Sequence, residues 1–304
     1  MPEAIGGGPV ALPASDYGDP DPEWLKVDWR AHLRQVELPG ATLNYAEIGE
    51  GEPILFVHGL AGCWRNWLEN LPHFGRTHRA IALDLPGFGH SPMPSWPIDM
   101  PAYGRLIHDF CEKLGVGRVA ALVGNSMGGL VATEAAIEEP SRFERLVLVS
   151  AAGIGFAAAV ASLRARLSLG AFERTMSFLA RPHQVWVTRL RGRQLAFGRL
   201  VQYPNRLRPE VLRELVEPGL RAPGFPSAIR AIGGYDTRHR LSEIEVPTLV
   251  VWGLNDHIVR AEDAIAYHRL IAGSRLELFE RTGHLPQLER PARFNALLDE
   301  FLGD

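Results

Sequence analysis

The stretch Gly124-Asn-Ser-Met-Gly-Gly129 decides how the rest of this sequence is interpreted. It follows the apolar run 119–123 and precedes a stretch of small residues, 130–137, that has the composition of a helix. A Gly-x-Ser-x-Gly sequence between a strand and a helix forms a tight turn that raises the serine hydroxyl above the sheet edge. The residues that flank the serine must be small because the turn is so tight. The motif therefore predicts that Ser126 is a nucleophile.

Short apolar runs elsewhere in the chain predict further strands. The runs without alternation predict strands that are buried on both faces, and they lie at 54–57, 80–83, 119–123, 146–150 and 248–252. A strand at 42–48, where polarity alternates, and one at 275–279 complete the set. Helical patterns lie between these strands, so the sequence predicts a mostly parallel sheet with helices on both faces.

The alternation of strands and helices stops in one part of the chain. From about 152 to 240 the sequence shows only helical segments, which predict a cap inserted between two strands over the carboxyl edge of the sheet. The first 30 residues are rich in glycine and proline and predict a flexible tail. The predicted domains are therefore a tail over 1–30, a core over 31–151 and 241–304, and a helical cap over 152–240.

Bulk composition excludes several classes of protein. The chain has 304 residues, 46% of them hydrophobic, and a formal charge of -3, which argues against nucleic acid as the principal partner. No apolar run is long enough to span a bilayer, and no signal peptide is apparent, so the predicted location is cytoplasmic. Cys63 and Cys111 lie far apart and predict buried, reduced thiols.

Two loops after the predicted cap supply the partners that a nucleophilic serine needs. Serine is a poor nucleophile at neutral pH and needs a base, which an acid must orient. Asp256 and His284 each lie just past a predicted strand, so both are expected at the sheet edge that carries Ser126. The chain order Ser, Asp, His is the one expected for a triad on this kind of sheet. The sequence thus predicts a catalytic triad of these three residues.

The loop after the strand at 54–57 supplies the predicted oxyanion hole. The backbone N–H groups of Leu60 and Met127 can converge on an oxygen that becomes negative during attack. His58 begins this loop, and we interpret its ring as a structural brace instead of a base. A Gly-x-Gly-x-x-Ala match at 153–158 comes too late in the sheet for a dinucleotide site, and the histidines lack metal-ligand spacing. We therefore expect neither a cofactor nor a metal.

These motifs together resemble the α/β-hydrolase fold, over about 36–302. The motifs that match are His58-Gly59, Asp84-Leu-Pro-Gly-Phe-Gly-His-Ser91, Gly253-x-x-Asp256, Gly283-His284 and the tight turn 124–129, which we call the elbow. The resemblance implies an inserted cap and Ser-His-Asp hydrolysis.

Some residues also resemble one branch of this fold, the hydrolases that cleave carbon–carbon bonds of ring-fission products. In that branch, asparagines like Asn66 and Asn125 line the substrate site. Those enzymes usually carry Trp after the catalytic histidine, where this chain has Leu285, and an asparagine before the serine also occurs in many esterases and lipases. The resemblance implies that Asn66, Asn125 and Leu285 are substrate-binding residues, and it leaves the substrate open.

The favoured function is that of a serine hydrolase that cleaves a carboxylic ester through an acyl-enzyme. The alternatives are a carbon–carbon bond hydrolase of ring-fission diketones and, from another class, a non-catalytic ligand receptor on the same fold. The predicted partner is a small-molecule ester or a related carbonyl compound. Residues 151–230 carry 13 arginines, no lysine and 4 glutamates. This basic block is either a solvated surface or a lid that meets an anionic substrate.

Overall fold

The computed structural model describes residues 17–155, 190–219 and 222–303. Within the predicted tail and cap, 1–16, 156–189 and 220–221 lie outside the described residues, as does the 156–158 part of the dinucleotide-like motif. In the parts of the chain that the structure describes, no helix is long and apolar enough to cross a membrane.

Eight strands form one sheet in the order β1-β2-β4-β3-β5-β6-β7-β8. They are β1 Leu33–Leu38, β2 Ala41–Ile48, β3 Pro53–Val57, β4 Arg79–Leu83, β5 Ala121–Asn125, β6 Leu146–Val149, β7 Thr248–Gly253 and β8 Arg275–Phe279. Strand β2 runs antiparallel to both β1 and β4, and the strands from β4 to β8 in this order are mutually parallel. The predicted mostly parallel sheet is confirmed, and β1 is a strand that the sequence patterns did not indicate.

Ten α-helices accompany the sheet in the described residues. They are α1 Trp29–His32, α2 Leu71–Phe74, α3 Met100–Lys113, α4 Met127–Glu138, α5 Leu190–Phe197, α6 Pro209–Gly219, α7 Phe225–Gly233, α8 Ala261–Leu270, α9 Pro286–Glu289 and α10 Pro291–Gly303. Local sequence fixes several ends. Helix α3 begins where the Asp99 carboxylate accepts a hydrogen bond from the Ala102 amide at 2.7 Å, and Gly115 follows its end with a φ of 65°.

Two apolar cores lie on opposite faces of the sheet, which explains the apolar runs without alternation. Along β3, Leu55 and Val57 pack into one core, whereas Ile54 and Phe56 pack into the other. Helices α3, α4 and α8 contribute to the first core, and α2 and α10 contribute to the second. Each inner strand therefore buries both of its faces, as the parallel arrangement requires. Cys63 and Cys111 are buried, unpaired thiols in these cores, as predicted.

Residues 17–30 do not form the flexible tail that we predicted for them. Tyr17 and Trp24 are 3% and 6% exposed and belong to the second core, and the rings of Trp29 and Trp64 are 4.9 Å apart. The prediction rested on local glycine, proline and acidic content. It was wrong for this segment because three aromatic side chains bury enough apolar surface to hold the chain in place.

The described part of the segment between β6 and β7 contains helices α5, α6 and α7 and no strand, and it contacts loops at the carboxyl ends of three strands. Arg65, after β3, forms an ion pair with Glu214 on α6 at 3.0 Å. The amide of Gly224 donates to the carbonyl of Gly87, after β4, at 2.9 Å. After β8, the amide of His284 donates to the carbonyl of Leu200 at 2.9 Å. This segment thus touches the loops that carry the predicted site.

Candidate active site

Ser126 occupies a strained turn between β5 and α4. Its φ of 55° and ψ of -117° lie in a region that residues with a side chain rarely adopt. Backbone hydrogen bonds hold it there, because its amide donates to the carbonyl of Val149 at 2.9 Å and its carbonyl accepts from the amide of Ala152 at 3.1 Å. The neighbouring strand and its exit loop thus fix the serine at the carboxyl edge of the sheet.

The glycines of the elbow are required by close backbone approaches. A Cβ atom on Gly124 would lie 2.2 Å from the carbonyl oxygen of Gly128. A Cβ atom on Gly128 would lie 2.2 Å from the carbonyl oxygen of Val57, at the end of β3. Neither position can accept a side chain unless the backbone moves, which is the physical reason for the Gly-x-Ser-x-Gly pattern.

Asp256 and His284 form a buried hydrogen-bonded pair. The Nδ1 atom of His284 is 2.7 Å from Oδ2 of Asp256, and the two residues are 3% and 6% exposed. The other carboxylate oxygen accepts hydrogen bonds from the amides of Ile258 at 2.7 Å and Val259 at 2.9 Å. An ionised carboxylate only accepts hydrogen bonds, so Nδ1 carries the proton and Nε2 remains able to accept one.

Asn125 joins the nucleophile strand to the histidine loop. Its Nδ2 atom donates to the carbonyl of Val149 at 3.1 Å and to the carbonyl of His284 at 3.3 Å. These bonds place the residue before Ser126 in direct contact with the backbone of His284. The elbow and the Asp256–His284 pair are therefore parts of one site.

The loop after β3 lies directly against Ser126. A Cβ atom on Gly59 would be 3.0 Å from Cβ of Ser126. His58 is fully buried, with Nδ1 2.7 Å from the carbonyl of Gly59 and Nε2 accepting from the amide of Leu85 at 3.0 Å. Burial lowers the pKa of its imidazole, which favours the neutral form. Both ring nitrogens form hydrogen bonds with backbone groups, so the interpretation of His58 as a structural brace is confirmed.

The two residues that we predicted to bind an oxyanion each follow a residue of the site in the chain, Met127 after Ser126 and Leu60 after Gly59. Met127 is the first residue of α4, so its N–H has no partner within that helix. Leu60 follows Gly59 in the loop that touches Ser126. Their shared role as oxyanion donors stays a prediction.

Asp84 is a buried carboxylate that sequence reasoning noted only as part of a turn. One oxygen accepts from the amide of Trp64 at 2.8 Å, and the other accepts from the amide of His90 and the side chain of Asn44, both at 2.8 Å. A Cβ atom on Gly89 would lie 2.4 Å from this carboxylate, which explains one glycine of the breaker-rich stretch. Asp84 thereby ties the loop after β3 to the loop after β4.

Asn66 and Leu285 are placed differently from Asn125. The Oδ1 atom of Asn66 accepts from the amide of Cys63 at 2.9 Å and so stabilises its own loop. Leu285 is 2% exposed and packs in the second core, so its side chain does not form an open surface of the site. Substrate contacts by Asn66, Asn125 and Leu285 stay predictions.

Comparison with known proteins identifies the family. The profile of the α/β hydrolase fold matches residues 52–291, and a chain matched over this much of its length belongs to that family. The protein is therefore an α/β hydrolase.

Its relatives include hydrolases with different substrates. The 2-hydroxy-6-oxo-6-phenylhexa-2,4-dienoate hydrolase of Comamonas testosteroni is 30% identical over 293 residues, which cover 90% of this chain and 95% of that protein. The 2-hydroxymuconate semialdehyde hydrolase of Pseudomonas sp. strain CF600 is 28% identical, with 89% of this chain and 94% of that protein covered. A thermophilic esterase from Thermogutta terrifontis has a similar structure, with a TM-score of 0.72, 27% identity, and coverage of 88% and 98%.

Proposed function

We propose that this protein is a serine hydrolase that cleaves carboxylic esters through an acyl-enzyme. The observation that carries the proposal is the 2.7 Å hydrogen bond between Asp256 and His284, held by Asn125 against the strained elbow of Ser126. A nucleophile on a strained turn, a base, and an acid that orients the base are the parts that nucleophilic hydrolysis needs. The similar fold of an esterase also supports the proposal.

The proposed reaction proceeds in two halves. In the first, Ser126 Oγ attacks the ester carbonyl carbon while Nε2 of His284 takes its proton, and the N–H groups of Leu60 and Met127 stabilise the resulting oxyanion. His284 then gives this proton to the departing alcohol as the ester C–O bond breaks, which leaves an acyl-enzyme. In the second half, His284 takes a proton from water, the water oxygen attacks the acyl carbon, and Ser126 leaves with that proton. Asp256 stays ionised throughout and stabilises the imidazolium.

Hydrolysis of p-nitrophenyl esters tests this proposal. We expect Ser126→Ala to abolish turnover and to leave the unfolding temperature close to that of the parent protein. Ser141→Ala is the matched control, since Ser141 is an exposed residue in the short 3-10 helix Pro140–Arg142 and takes no part in the site. Turnover that persists in Ser126→Ala would refute the assignment of the nucleophile.

A carbon–carbon bond hydrolase of ring-fission diketones is the second candidate. It is supported by the dienoate hydrolase that is 30% identical over most of both chains, and by Asn66 and Asn125. It is opposed by Leu285, which replaces the usual tryptophan, and by the contact that already engages Oδ1 of Asn66. A yellow ring-fission dienoate distinguishes the candidates. If it bleaches faster than any ester in a panel is cleaved, the order of the two candidates reverses.

Three described arginines of the inserted segment already have partners within the protein, which favours structural roles for them over contact with an anionic substrate. Arg193 donates to the carbonyl of Leu207 at 3.2 Å, and Arg208 and Arg213 lie 3.5 Å and 4.0 Å from the carboxylate of Glu210. We therefore expect salt between low and physiological concentration to change kcat/KM alike for matched neutral and anionic esters. A loss confined to the anionic ester would show instead that arginines meet the substrate.

A further inference from the structure

Three segments of the chain meet at the buried carboxylate of Glu289. Its Oε1 atom accepts from the amide of Gly283 at 2.9 Å. Its Oε2 atom accepts from the amide of Gln202 at 2.8 Å and from the hydroxyl of Tyr17 at 2.5 Å. The carboxylate thus joins the histidine loop, the inserted segment and the N-terminal segment, and Glu289 has no exposed surface.

The histidine loop is held by Glu289 on both sides of His284. The amides of Gly283 and Leu285 both donate to its Oε1 atom, at 2.9 Å and 3.3 Å. The amide of His284 itself donates to the carbonyl of Leu200, in the inserted segment that Glu289 also binds through Gln202. The position of the His284 backbone therefore depends on a carboxylate that does not touch the imidazole.

Tyr17 connects the N-terminal segment to this carboxylate and to the inserted segment. Its hydroxyl accepts from the amide of Tyr203 at 2.8 Å while it donates to Glu289. The guanidinium carbon of Arg290 lies 4.7 Å from the centre of the Tyr17 ring. The amide of Gly18 also donates to the carbonyl of Glu289 at 2.9 Å. Tyr17 thus contacts both the inserted segment, at Tyr203, and the segment that carries Glu289 and Arg290.

We propose that Glu289 is a positioning residue whose ionised carboxylate keeps His284 in its productive place, and that Tyr17 sets the pH range in which it does so. The proposal rests on the proposed function of His284 as the base. Among the described residues, every group that reaches the two oxygens of Glu289 is a donor, which suits a carboxylate that only accepts. A protonated carboxyl would lose at least one of these bonds, because a backbone amide cannot accept the new proton and the hydroxyl of Tyr17 could accept it only by ceasing to donate to Glu289.

The surroundings of Glu289 place its titration near neutral pH. Burial raises its pKa to about 7, and the hydrogen bond from Tyr17 acts in the opposite direction. Arg290, whose guanidinium lies over the ring of Tyr17, and Tyr203, whose amide donates to the Tyr17 hydroxyl, are the nearby titratable residues that contact Tyr17 among the described residues. As pH falls through the pKa of Glu289, the carboxyl becomes protonated and its hydrogen bonds with the amides of the histidine loop weaken. Activity is therefore lost on the acid side.

Tyr17→Phe tests this proposal without touching the triad. The variant removes one donor to the carboxylate, so the pKa of Glu289 rises and the acid limb of the pH profile of kcat moves upward by roughly one unit. KM should change little. Tyr103→Phe is the matched control, because Tyr103 is buried and its hydroxyl also donates a hydrogen bond, at 2.7 Å to the carbonyl of Pro86. Its acid limb should coincide with that of the parent protein.

Two results would overturn the proposal. An acid limb of Tyr17→Phe that coincides with the parent limb would show that Tyr17 is only a structural residue. The second test is titration of the Glu289 carboxyl by ¹³C NMR in the inactive Ser126→Ala protein, with the resonance assigned by its loss in Glu289→Gln. We expect a pKa well above that of an ordinary glutamate and a further rise when Tyr17→Phe is added, and an ordinary pKa would refute the proposal. This titration needs no turnover, so it separates failure of this proposal from failure of the proposed function.

Discussion

The contact between the elbow and β3 allows a quantitative prediction for Gly128→Ala. The new Cβ atom would lie 2.2 Å from the carbonyl oxygen of Val57 and 2.6 Å from that of His58. Both are backbone atoms, so no flexible side chain can relieve the clash. The start of α4 must move away from the end of β3 by about an ångström, since overpacked sites yield through backbone shifts.

The expected effects follow from this displacement. Overpacking of this kind destabilises a protein by about 1–3 kcal/mol, and two backbone contacts favour the upper end of that range. At about 2 °C per kcal/mol for a chain of this size, the unfolding temperature should fall by roughly 5 °C. The shift also separates Ser126 from the loop after β3, which carries the predicted oxyanion donor Leu60. A misplacement of about 1 Å costs on the order of 100-fold in rate, so kcat should fall by a comparable factor.

Thermal unfolding and ester hydrolysis measure both effects, with Gly117→Ala as the matched control. Apart from its two chain neighbours, no described residue has a heavy atom within 4 Å of a Cβ atom built on Gly117. The control should therefore keep the unfolding temperature and the kcat of the parent protein. If Gly128→Ala behaves like Gly117→Ala in both assays, the steric account of the elbow is wrong.

Further variants test other parts of the account. Asp256→Asn should lower kcat by roughly 10⁴-fold with little change in unfolding temperature, because the amide would favour the His284 tautomer that cannot accept the serine proton; unchanged kcat would contradict the role of the acid. Arg240→Ala should lower the free energy of unfolding by about 2 kcal/mol at neutral pH, because it leaves the carboxylate of Glu134, which is 3% exposed, without its cationic partner. Burial already raises the pKa of Glu134, so the loss should shrink at acidic pH as this carboxyl becomes protonated. Adding Glu134→Gln should restore most of the stability in urea unfolding, and a loss that persists would refute the ion-pair argument.

The inner strands of the sheet could be predicted from local sequence patterns, whereas the edge strand β1 could not. The inner strands are buried on both faces, so their apolar runs are continuous and easily recognised. Strand β1, at Leu33–Leu38, escaped notice because it is an edge strand. Only Val36 and Leu38 are buried in it, while Arg34 and Gln35 are exposed. Its pairing with β2 gives it a structure that its composition does not indicate.

The residues of the candidate site also fall into two groups, those that local sequence predicts and those that it does not. Ser126 could be predicted because the residues around it in the chain define its turn, and Asp256 and His284 follow recognisable strands. Glu289 could not, because its hydroxyl partner, Tyr17, is 272 positions away in the chain. Nothing in the local sequence distinguishes a buried glutamate near the chain end from a solvated one. Its role becomes visible only when the fold brings the N-terminal segment to the histidine loop.

Labelling with a fluorophosphonate tests the central claim that Ser126 is an activated nucleophile. The reagent forms a covalent bond only with a serine whose proton a base can take. Labelling therefore detects an activated serine even when the natural substrate is not known. We predict a single adduct in the intact mass of the parent protein, located on Ser126 by peptide mapping, and no adduct in Ser126→Ala. A parent protein that stays unlabelled, or an adduct that persists in Ser126→Ala, would contradict the claim.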